Sequence, residues 1–423
     1  MRRAARVTLP SSSSATSAGN RFRSTRARRS ARPAALSLIQ IYYIIDIDWT
    51  DDTRGPISIS NPRPSSTKEL PVRYKLFGRT GLRVSELSLG TMTFGEDWGW
   101  GAGPEACRQI LHTYFDAGGN FIDTANHYTN GSAERILGEL CKGRRDELVI
   151  ATKYTLNGRP ADPNGGGNHR KSMARALEAS LERLGTDYVD IYWVHAWDFL
   201  TPVEEVLRGL DDLVRQGKVL YVGISDAPAW VVSRANAIAD LRGWSAFAGI
   251  QIQYSLIERT SERELLPMAR ELDLAVTPWS PLGGGVLTGK YNKGAGAAGS
   301  RFAEGEWGKA FLTERNLSIA AEVLSIAEQL GASPSQVALS WVRQQPGVVI
   351  PILGARKVSQ LEDNIGCLEV TLEAEQLQRL DAASKIELGF PYDFLGSPGI
   401  RSVVYGETLD RIDDHRGACP FIE

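Results

Sequence analysis

From Val72 onward, short apolar runs alternate with longer segments in which apolar residues recur at helical spacing. The runs have the length of buried strands and follow one another at intervals of about 30 residues, as in repeated strand-helix units. The eight runs are Leu87–Gly90, Phe121–Asp123, Leu148–Lys153, Tyr188–His195, Val219–Ser225, Ile250–Tyr254, Leu274–Trp279 and Val348–Pro351. This alternation predicts a parallel sheet whose strands are connected by helices.

Two connecting segments carry clear helix signatures. The predicted helix Thr201–Gly217 has Thr201 and Glu204 at capping-box spacing, Pro202 at its first helical position and a glycine at its end. Its apolar stripe consists of Val203, Val206, Leu207, Leu210, Leu213 and Val214. The predicted helix Asn168–Gly185 also stops at a glycine, and its inward-facing residues are Met173, Leu177, Leu181 and Leu184.

Eight strands that alternate with helices predict an α/β fold of the (β/α)8 TIM-barrel type, with function at the carboxyl ends of the strands. We expect the barrel to span residues 72–384. Before its first strand, a glycine-containing turn at Gly78–Gly81 lies between two strand-like runs and predicts an N-terminal hairpin. Residues 385–423 form a C-terminal tail in which Phe390, Tyr392 and Phe394 alternate with other residues. This tail either folds over the pocket or packs elsewhere.

Residues 1–71 differ in composition from the rest of the chain. They contain nine arginines up to Arg32 and a serine run at Ser11–Ser14, and their first acidic residue is Asp46. This bias is typical of an organelle transit peptide, while an over-extended gene start is an alternative interpretation that we favour slightly. The apolar run Ala35–Ile45 is shorter than the roughly 20 residues that a membrane helix requires.

Composition limits the classes of function. The chain has 423 residues, is 42% hydrophobic and carries a net charge of −2, which indicates a globular protein and gives no reason to expect nucleic acid or an anionic membrane as a partner. Its four cysteines lack the spacing of a zinc site or a disulfide framework, so we predict no metal and a reducing, cytoplasmic location. A genuine transit peptide would make the location organellar. The sequence does not indicate an oligomeric state.

Polar residues end three consecutive predicted strands. Asp123 ends the second barrel strand, Lys153 the third and His195 the fourth, and Tyr128 follows Asp123 by five residues. Singly, these residues are more often a cap, a salt-bridge partner, a core histidine and a packing residue. Because the carboxyl ends of parallel barrel strands meet at one mouth, we expect the four side chains to lie together.

Such a group of residues suits proton donation to a carbonyl. A free tyrosine has a pKa of about 10, and a close lysine ammonium lowers it by favouring the phenolate. Asp123 would pair with Lys153 and fix it, and His195 would orient the carbonyl by a hydrogen bond. The group supplies no hydride, so a nicotinamide cofactor is expected.

Further motifs occur in a fixed order along the chain. They are Leu89-Gly-Thr-Met, Ala151-Thr-Lys, Asp190-Ile-Tyr-Trp-Val-His, Val222-Gly-Ile-Ser, Gln251-Ile-Gln-Tyr, Trp279-Ser-Pro-Leu and Leu353-Gly-Ala-Arg. With Asp123 and Tyr128, they show that the chain from about Tyr74 to Asp381 resembles an aldo-keto reductase, nearest to the bacterial-type and potassium-channel β-subunit-like branch. The resemblance implies a catalytic tetrad of Asp123, Tyr128, Lys153 and His195, NADP(H) bound across the barrel mouth, and a small-molecule carbonyl substrate.

The resemblance also implies the cofactor contacts. Ser225 and Gln251 would hold the carboxamide, and Trp279 would stack on the nicotinamide. Further residues at positions where the family binds its cofactor are Gly90, Thr91, Ser280, Leu282, Gly284, Lys290, Gly354, Arg356, Gln360, Asp363 and Asn364. Asp226 stands where many members have Asn, and its role as a contact stays open.

Three tryptophans are candidates for the substrate pocket. Trp98 and Trp100 follow the first barrel strand and Trp197 follows His195, and each is equally suited to an aromatic wall or to packing. Substrate choice is otherwise unspecified.

Other functions were weighed against NADPH-dependent carbonyl reduction. A cofactor-binding regulatory subunit resembling the potassium-channel β-subunits is the main alternative, although those subunits typically have Asn at the position of His195. A cofactor-free barrel isomerase would leave the cofactor positions unexplained. Gly284–Lys290 has P-loop spacing, but Tyr291 replaces the Ser or Thr that binds magnesium, which argues against a nucleotide triphosphatase.

Overall fold

The computed structural model describes residues 72–292 and 311–414, so the extension 1–71 lies outside the described residues. The described chain begins with a hairpin of β1 (Tyr74–Leu76) and β2 (Arg83–Ser85), which pair antiparallel as predicted. Phe77 follows β1 and is fully buried, with its ring edge-on to Phe121 and Trp193 at centroid distances of 5.9 and 6.1 Å. The hairpin therefore packs an aromatic side chain against residues of two barrel strands.

Eight parallel strands form the barrel, in the hydrogen-bonded order β10-β3-β4-β5-β6-β7-β8-β9. They are β3 (Ser88–Gly90), β4 (Phe121–Asp123), β5 (Val149–Tyr154), β6 (Val189–Val194), β7 (Val219–Ser225), β8 (Phe247–Gln253), β9 (Ala275–Trp279) and β10 (Ile352–Gly354). β5 and β6 are buried at every position, as expected for strands enclosed by helices. The prediction of a (β/α)8 barrel is confirmed.

One predicted strand is displaced. Val348–Pro351 was expected to be the eighth strand, but the strand that pairs with β3 is Ile352–Gly354. The predicted segment instead closes the barrel: the amide of Val276 donates to the carbonyl of Val348 at 2.7 Å, and the amide of Ile350 donates to the carbonyl of Val276 at 2.8 Å. The apolar run is long enough to contact β9 first and β3 afterwards, and its composition does not separate the two parts.

Helices surround the sheet and supply the outer layer of the core. Those of the described residues are α1 (Pro104–Asp116), α2 (Ser132–Leu140), α3 (Arg170–Leu184), α4 (Val203–Arg215), α5 (Ala229–Arg242), α6 (Leu265–Glu271), α7 (Glu314–Leu330), α8 (Pro334–Arg343), α9 (Val358–Ile365), α10 (Ala374–Ser384), α11 (Tyr392–Leu395) and α12 (Pro398–Tyr405). All four residues predicted to face inward from α3 are buried. Among the described residues, no helix combines the length and apolar content needed to cross a membrane.

The ends of two helices test the predicted signatures. α3 stops at Gly185, which has a left-handed φ of 64°. The predicted capping box of α4 is wrong, because the helix begins one residue later than expected, with Pro202 as its N-cap and no side-chain cap. Thr201 instead donates its hydroxyl to Asp198 Oδ2 at 2.8 Å. The competing carboxylate lies in the preceding loop, outside the capping-box pattern.

After α10, the described part of the tail lies beside the segment that precedes α6. Arg263 Nη2 donates to the backbone carbonyl of Glu387 at 2.8 Å. Beyond it, Phe390 and Phe394 are exposed, with 85% and 51% of their surface accessible.

Candidate active site

Lys153 joins the residues predicted to form the tetrad. Its Nζ donates to Asp123 Oδ2 at 2.5 Å, to the Thr124 carbonyl at 2.8 Å and to the Tyr128 hydroxyl oxygen at 3.0 Å. Asp123 is the last residue of β4, Lys153 lies near the end of β5, and Tyr128 starts the turn that follows β4. Parallel pairing of neighbouring strands therefore brings the Asp123 carboxylate, the Lys153 ammonium and the Tyr128 phenol together.

The ammonium group of Lys153 is stabilised in a buried position. Its side chain is fully buried, and burial alone would lower its pKa. Attraction to Asp123 and Tyr128 outweighs that effect and raises the pKa above its ordinary value. Lys153 is therefore a cation at neutral pH, held beside the phenol oxygen.

Tyr128 keeps its proton in this environment. Burial raises the pKa of its hydroxyl, the positive charge of Lys153 lowers it, and Asp123 raises it, with a net increase. Lys153 thus acts in the direction expected from the sequence, but burial has the larger effect in the chain alone. The result is a neutral phenol that points its oxygen at a cation and can act as a proton donor.

His195 directly follows β6 and lies against Tyr128. The two rings meet edge-on, with centroids 5.9 Å apart. Burial, followed by the positive charge of Lys153 and by His127, holds the pKa of His195 well below its usual value, so the imidazole is neutral. Its Nδ1 is buried without a hydrogen-bond partner among the described residues. A neutral imidazole with unused hydrogen-bonding capacity suits the orientation of a carbonyl oxygen.

Two predicted cofactor residues support the tetrad directly. Gln251 Nε2 donates to Asp123 Oδ1 at 2.9 Å, so its amide is tied to the same carboxylate that holds Lys153. Thr91 is fully buried and donates its hydroxyl to the Asp123 carbonyl at 3.0 Å. Both residues therefore fix the position of Asp123.

A cavity of about 530 Å³ opens at this point. Its volume is in the range of ligand pockets. The predicted site residues that line it are Gly90, Trp98, Trp100, Asp123, Tyr128, His195, Ser225, Gln251, Trp279, Ser280, Leu282, Gly284, Lys290, Gly354, Arg356, Gln360, Asp363 and Asn364. The structure thus gathers residues from strands in both halves of the barrel around one space.

Other predicted residues lie elsewhere. Trp197, expected at the substrate pocket, is 9% exposed, belongs to the hydrophobic core and does not line the cavity. Thr91, expected to contact the cofactor, is fully buried and does not line the cavity. Within the described part of the tail, Phe390, Tyr392 and Phe394 do not contribute to the cavity lining.

Aromatic rings form one side of the cavity. The ring of Trp98 lies 5.6 Å from that of Trp100 and 6.0 Å from that of His127. His127 and Phe311 line the cavity but were not predicted. The position of His127 immediately before Tyr128 was a usable signal for this wall, whereas nothing in the sequence around Phe311 marks a site.

A glycine-rich turn that precedes Lys290 forms another part of the cavity wall. Gly284 and Gly285 have left-handed φ values of 63° and 93°, and the Gly284 amide donates to Ser280 Oγ at 3.0 Å. A Cβ at Gly285 would lie 2.9 Å from Lys290 Nζ. Glycine therefore leaves space beside a cation, which fits a diphosphate group.

A second cation lies at the far end of the cavity. Arg356 follows β10, and its amide donates to Gln360 Oε1 at 2.9 Å, at the start of α9. Asn364 Nδ2 approaches the Gly354 carbonyl at 3.5 Å. No ion pair of the Arg356 guanidinium is found within the described ranges, so this group is available to a ligand.

Asp226 contacts another member of the cavity wall. Its Oδ1 accepts a hydrogen bond from Trp279 Nε1 at 3.1 Å, and its backbone has a left-handed φ of 45°. Burial raises the pKa of its carboxyl above the usual value for aspartate, and the opposing effects of the Trp279 indole, Lys153 and Ser225 are smaller. The carboxylate that the sequence left without a role thus holds the tryptophan expected to stack on the nicotinamide.

Comparison with known proteins agrees with this geometry. The aldo/keto reductase family model matches residues 86–385. A norsolorinic acid reductase of Emericella nidulans is 40% identical over 79% of this chain and 87% of its own length. An aryl-alcohol dehydrogenase of Pestalotiopsis microspora is 38% identical over 80% of this chain and 88% of its own length. An aryl-alcohol dehydrogenase [NADP(+)] of Phanerodontia chrysosporium is 37% identical over 82% of this chain and 95% of its own length. The chain is therefore an oxidoreductase that belongs to the aldo/keto reductase family.

Proposed function

We propose that this protein catalyses the reversible NADPH-dependent reduction of aldehydes or ketones to alcohols. The observation that carries the proposal is the Lys153 ammonium between Asp123 and the Tyr128 hydroxyl, at the wall of a cavity large enough for a ligand. The chain's family membership and a relative named aryl-alcohol dehydrogenase [NADP(+)] support the choice of cofactor.

The protein's own residues polarise the carbonyl and supply the proton. When bound, the nicotinamide supplies the hydride. Tyr128 donates its hydroxyl proton to the carbonyl oxygen, and Lys153 stabilises the phenolate that remains. Asp123 keeps Lys153 in place, while neutral His195 donates a hydrogen bond that orients the carbonyl. Because the proton donor and the cation lie in a buried site, their electrostatic effect is stronger than it would be in water.

The cavity residues form three groups, one for each part of the cofactor. Ser225, Gln251 and Trp279 hold the nicotinamide end beside the tetrad. The backbone around Gly284, with Lys290, binds the diphosphate. Residues that bind the adenosine end follow β10 and include Gly354, Arg356, Gln360, Asp363 and Asn364. Gly90 borders the nicotinamide end, and Thr91 supports it from behind.

The substrate is a small molecule that enters beside Trp98 and Trp100. Their paired rings and His127 are tilted against one another by 48° and 46° and form an aromatic surface with a polar edge. Such a surface suits an aromatic carbonyl compound. The names of two relatives, both aryl-alcohol dehydrogenases, point in the same direction.

The proposal is tested by turnover. Purified protein is mixed with NADPH and a panel of aromatic and aliphatic aldehydes and ketones, and NADPH oxidation is followed. We expect oxidation with at least one aromatic aldehyde and none without a carbonyl compound. A protein that binds NADPH tightly but oxidises it with no member of the panel would instead support the regulatory-subunit alternative.

A further inference from the structure

The wall around Trp279 contains one carboxylate that the proposed catalytic steps do not use. Asp226 lines the cavity next to Ser225 and is exposed to the space inside it. Its Oδ1 lies 3.1 Å from Trp279 Nε1. If Ser225 and Trp279 hold the nicotinamide as proposed above, this carboxylate lies at the edge of that ring.

The other ionisable groups near this end leave Asp226 as the uncompensated charge. Lys153 and Asp123 neutralise each other across 2.5 Å. Tyr128 is protonated and His195 is neutral, because burial disfavours their charged forms. The indole N–H of Trp279 hydrogen-bonds the Asp226 carboxylate but carries no formal charge. In the described chain, the nicotinamide end of the cavity therefore has a net negative charge.

We propose that Asp226 selects the oxidised form of the cofactor, binding NADP⁺ more tightly relative to NADPH. The oxidised nicotinamide ring carries a positive charge and the reduced ring carries none, so a nearby carboxylate stabilises only the oxidised ring. A unit charge that is partly exposed to water and a few ångströms from the ring changes affinity by about three- to tenfold. The same effect shifts the equilibrium between the bound cofactors towards the direction of alcohol oxidation.

The backbone explains why a neutral variant can be made without disturbing the loop. Asp226 adopts a left-handed φ of 45°, a region in which Asn is also favoured. Its amide donates to the Gln251 carbonyl at 3.2 Å, and its carbonyl accepts from the Trp197 amide at 3.3 Å. These backbone bonds do not depend on the side chain. Asp226→Asn therefore removes the charge and keeps an oxygen acceptor for Trp279.

The test compares the dissociation constants of NADP⁺ and NADPH, titrated separately into the full-length protein by calorimetry. In Asp226→Asn we expect the NADP⁺ constant to rise by about three- to tenfold and the NADPH constant to change by less than about twofold. Asp226→Gly fits the left-handed backbone but also removes the acceptor for Trp279, so it should weaken the binding of both cofactors and that of NADP⁺ more. Asp240→Asn is the matched control, since this 61% exposed carboxylate pairs with Arg79 on the hairpin.

Two outcomes would overturn the inference. Unchanged dissociation constants for both cofactors in both Asp226 variants would mean that the carboxylate does not act on the ring. An equal loss for both cofactors would mean that Asp226 acts only by holding Trp279. Failure of the wild-type protein to bind either cofactor would overturn the proposed function first and this inference with it, so the two failures are distinguishable.

Discussion

At the scale of single residues, the site depends on one buried cation shared by an acid and a phenol. The sequence indicated three residues at the ends of neighbouring strands and Tyr128 on the loop after the first of them, and pairing of parallel strands was enough to place the four together. It did not indicate the balance of charges. The pKa of Tyr128 depends on how much burial opposes Lys153, and that balance requires the distances and the enclosure that only the folded chain provides.

The protonation states predict a flat pH profile for reduction. The pKa of Tyr128 is raised above its usual value of about 10, and that of His195 is held well below about 6.5. Raising the pH removes activity only when Tyr128 loses its proton, and lowering it affects His195 only when the imidazole gains one. We therefore expect kcat/KM for aldehyde reduction to stay constant between about pH 6.5 and 10. A transition near neutrality in kcat/KM, with circular dichroism unchanged, would contradict these assignments.

Arg356 provides a residue-scale prediction about cofactor choice. NADPH differs from NADH only by the 2′-phosphate, a dianion that suits a guanidinium with two parallel donors. A charge-assisted contact of this kind is worth about 1.5 to 3 kcal/mol, or roughly ten- to a hundredfold in affinity. Arg356→Ala should raise the dissociation constant for NADPH by that factor and leave that for NADH nearly unchanged.

The neighbouring cation supplies the control. Lys357 is exposed and precedes α9, and its ammonium lacks the planar geometry of a guanidinium. Lys357→Ala should therefore weaken NADPH binding less than Arg356→Ala does. Equal losses of NADPH and NADH in Arg356→Ala would mean that this residue supports the fold or the diphosphate.

At the scale of elements, strong periodicity predicted the presence of strands and helices well. It predicted the ends of these elements and their pairing partners less well. α3 and its terminal glycine follow from local signals. The start of α4 does not, because Asp198 in the preceding loop takes the hydroxyl of Thr201. The displacement of the last strand also depends on contacts outside the local sequence. Pairing with two different neighbours is a property of the closed barrel and not of the run Val348–Leu353.

The end of α3 gives a stability prediction. Gly185 has a φ of 64°, and a Cβ built there meets nothing within 4 Å. The cost of Gly185→Ala is therefore conformational and not steric, and it should lower the free energy of unfolding by about 1 kcal/mol. Gly81→Ala is the control, because Gly81 also has open space around its Cβ position but no left-handed φ. Equal effects of the two substitutions on denaturant unfolding would contradict this explanation.

At the scale of the whole molecule, the described barrel elements all follow Val72. The hairpin supplies Phe77 to the barrel interior, so the fold requires residues from Tyr74 onward. We predict that a chain beginning at Val72 has the melting temperature and turnover of the full-length protein. Both are measured on the two chains side by side. A melting temperature lower by many degrees in the shorter chain would show that the extension contributes to the fold.

The central claim is that Tyr128 donates the proton. Its most direct test is Tyr128→Phe, which removes the hydroxyl and keeps the ring, measured as NADPH oxidation with an aldehyde that the wild type reduces. General acid catalysis is typically worth about 10² to 10⁴ in rate, so turnover should fall by that factor while NADPH still binds with nearly the same dissociation constant. Tyr74→Phe, which removes a hydroxyl that donates to the Gly118 carbonyl outside the cavity, should turn over normally. Near-normal turnover of Tyr128→Phe would contradict the account.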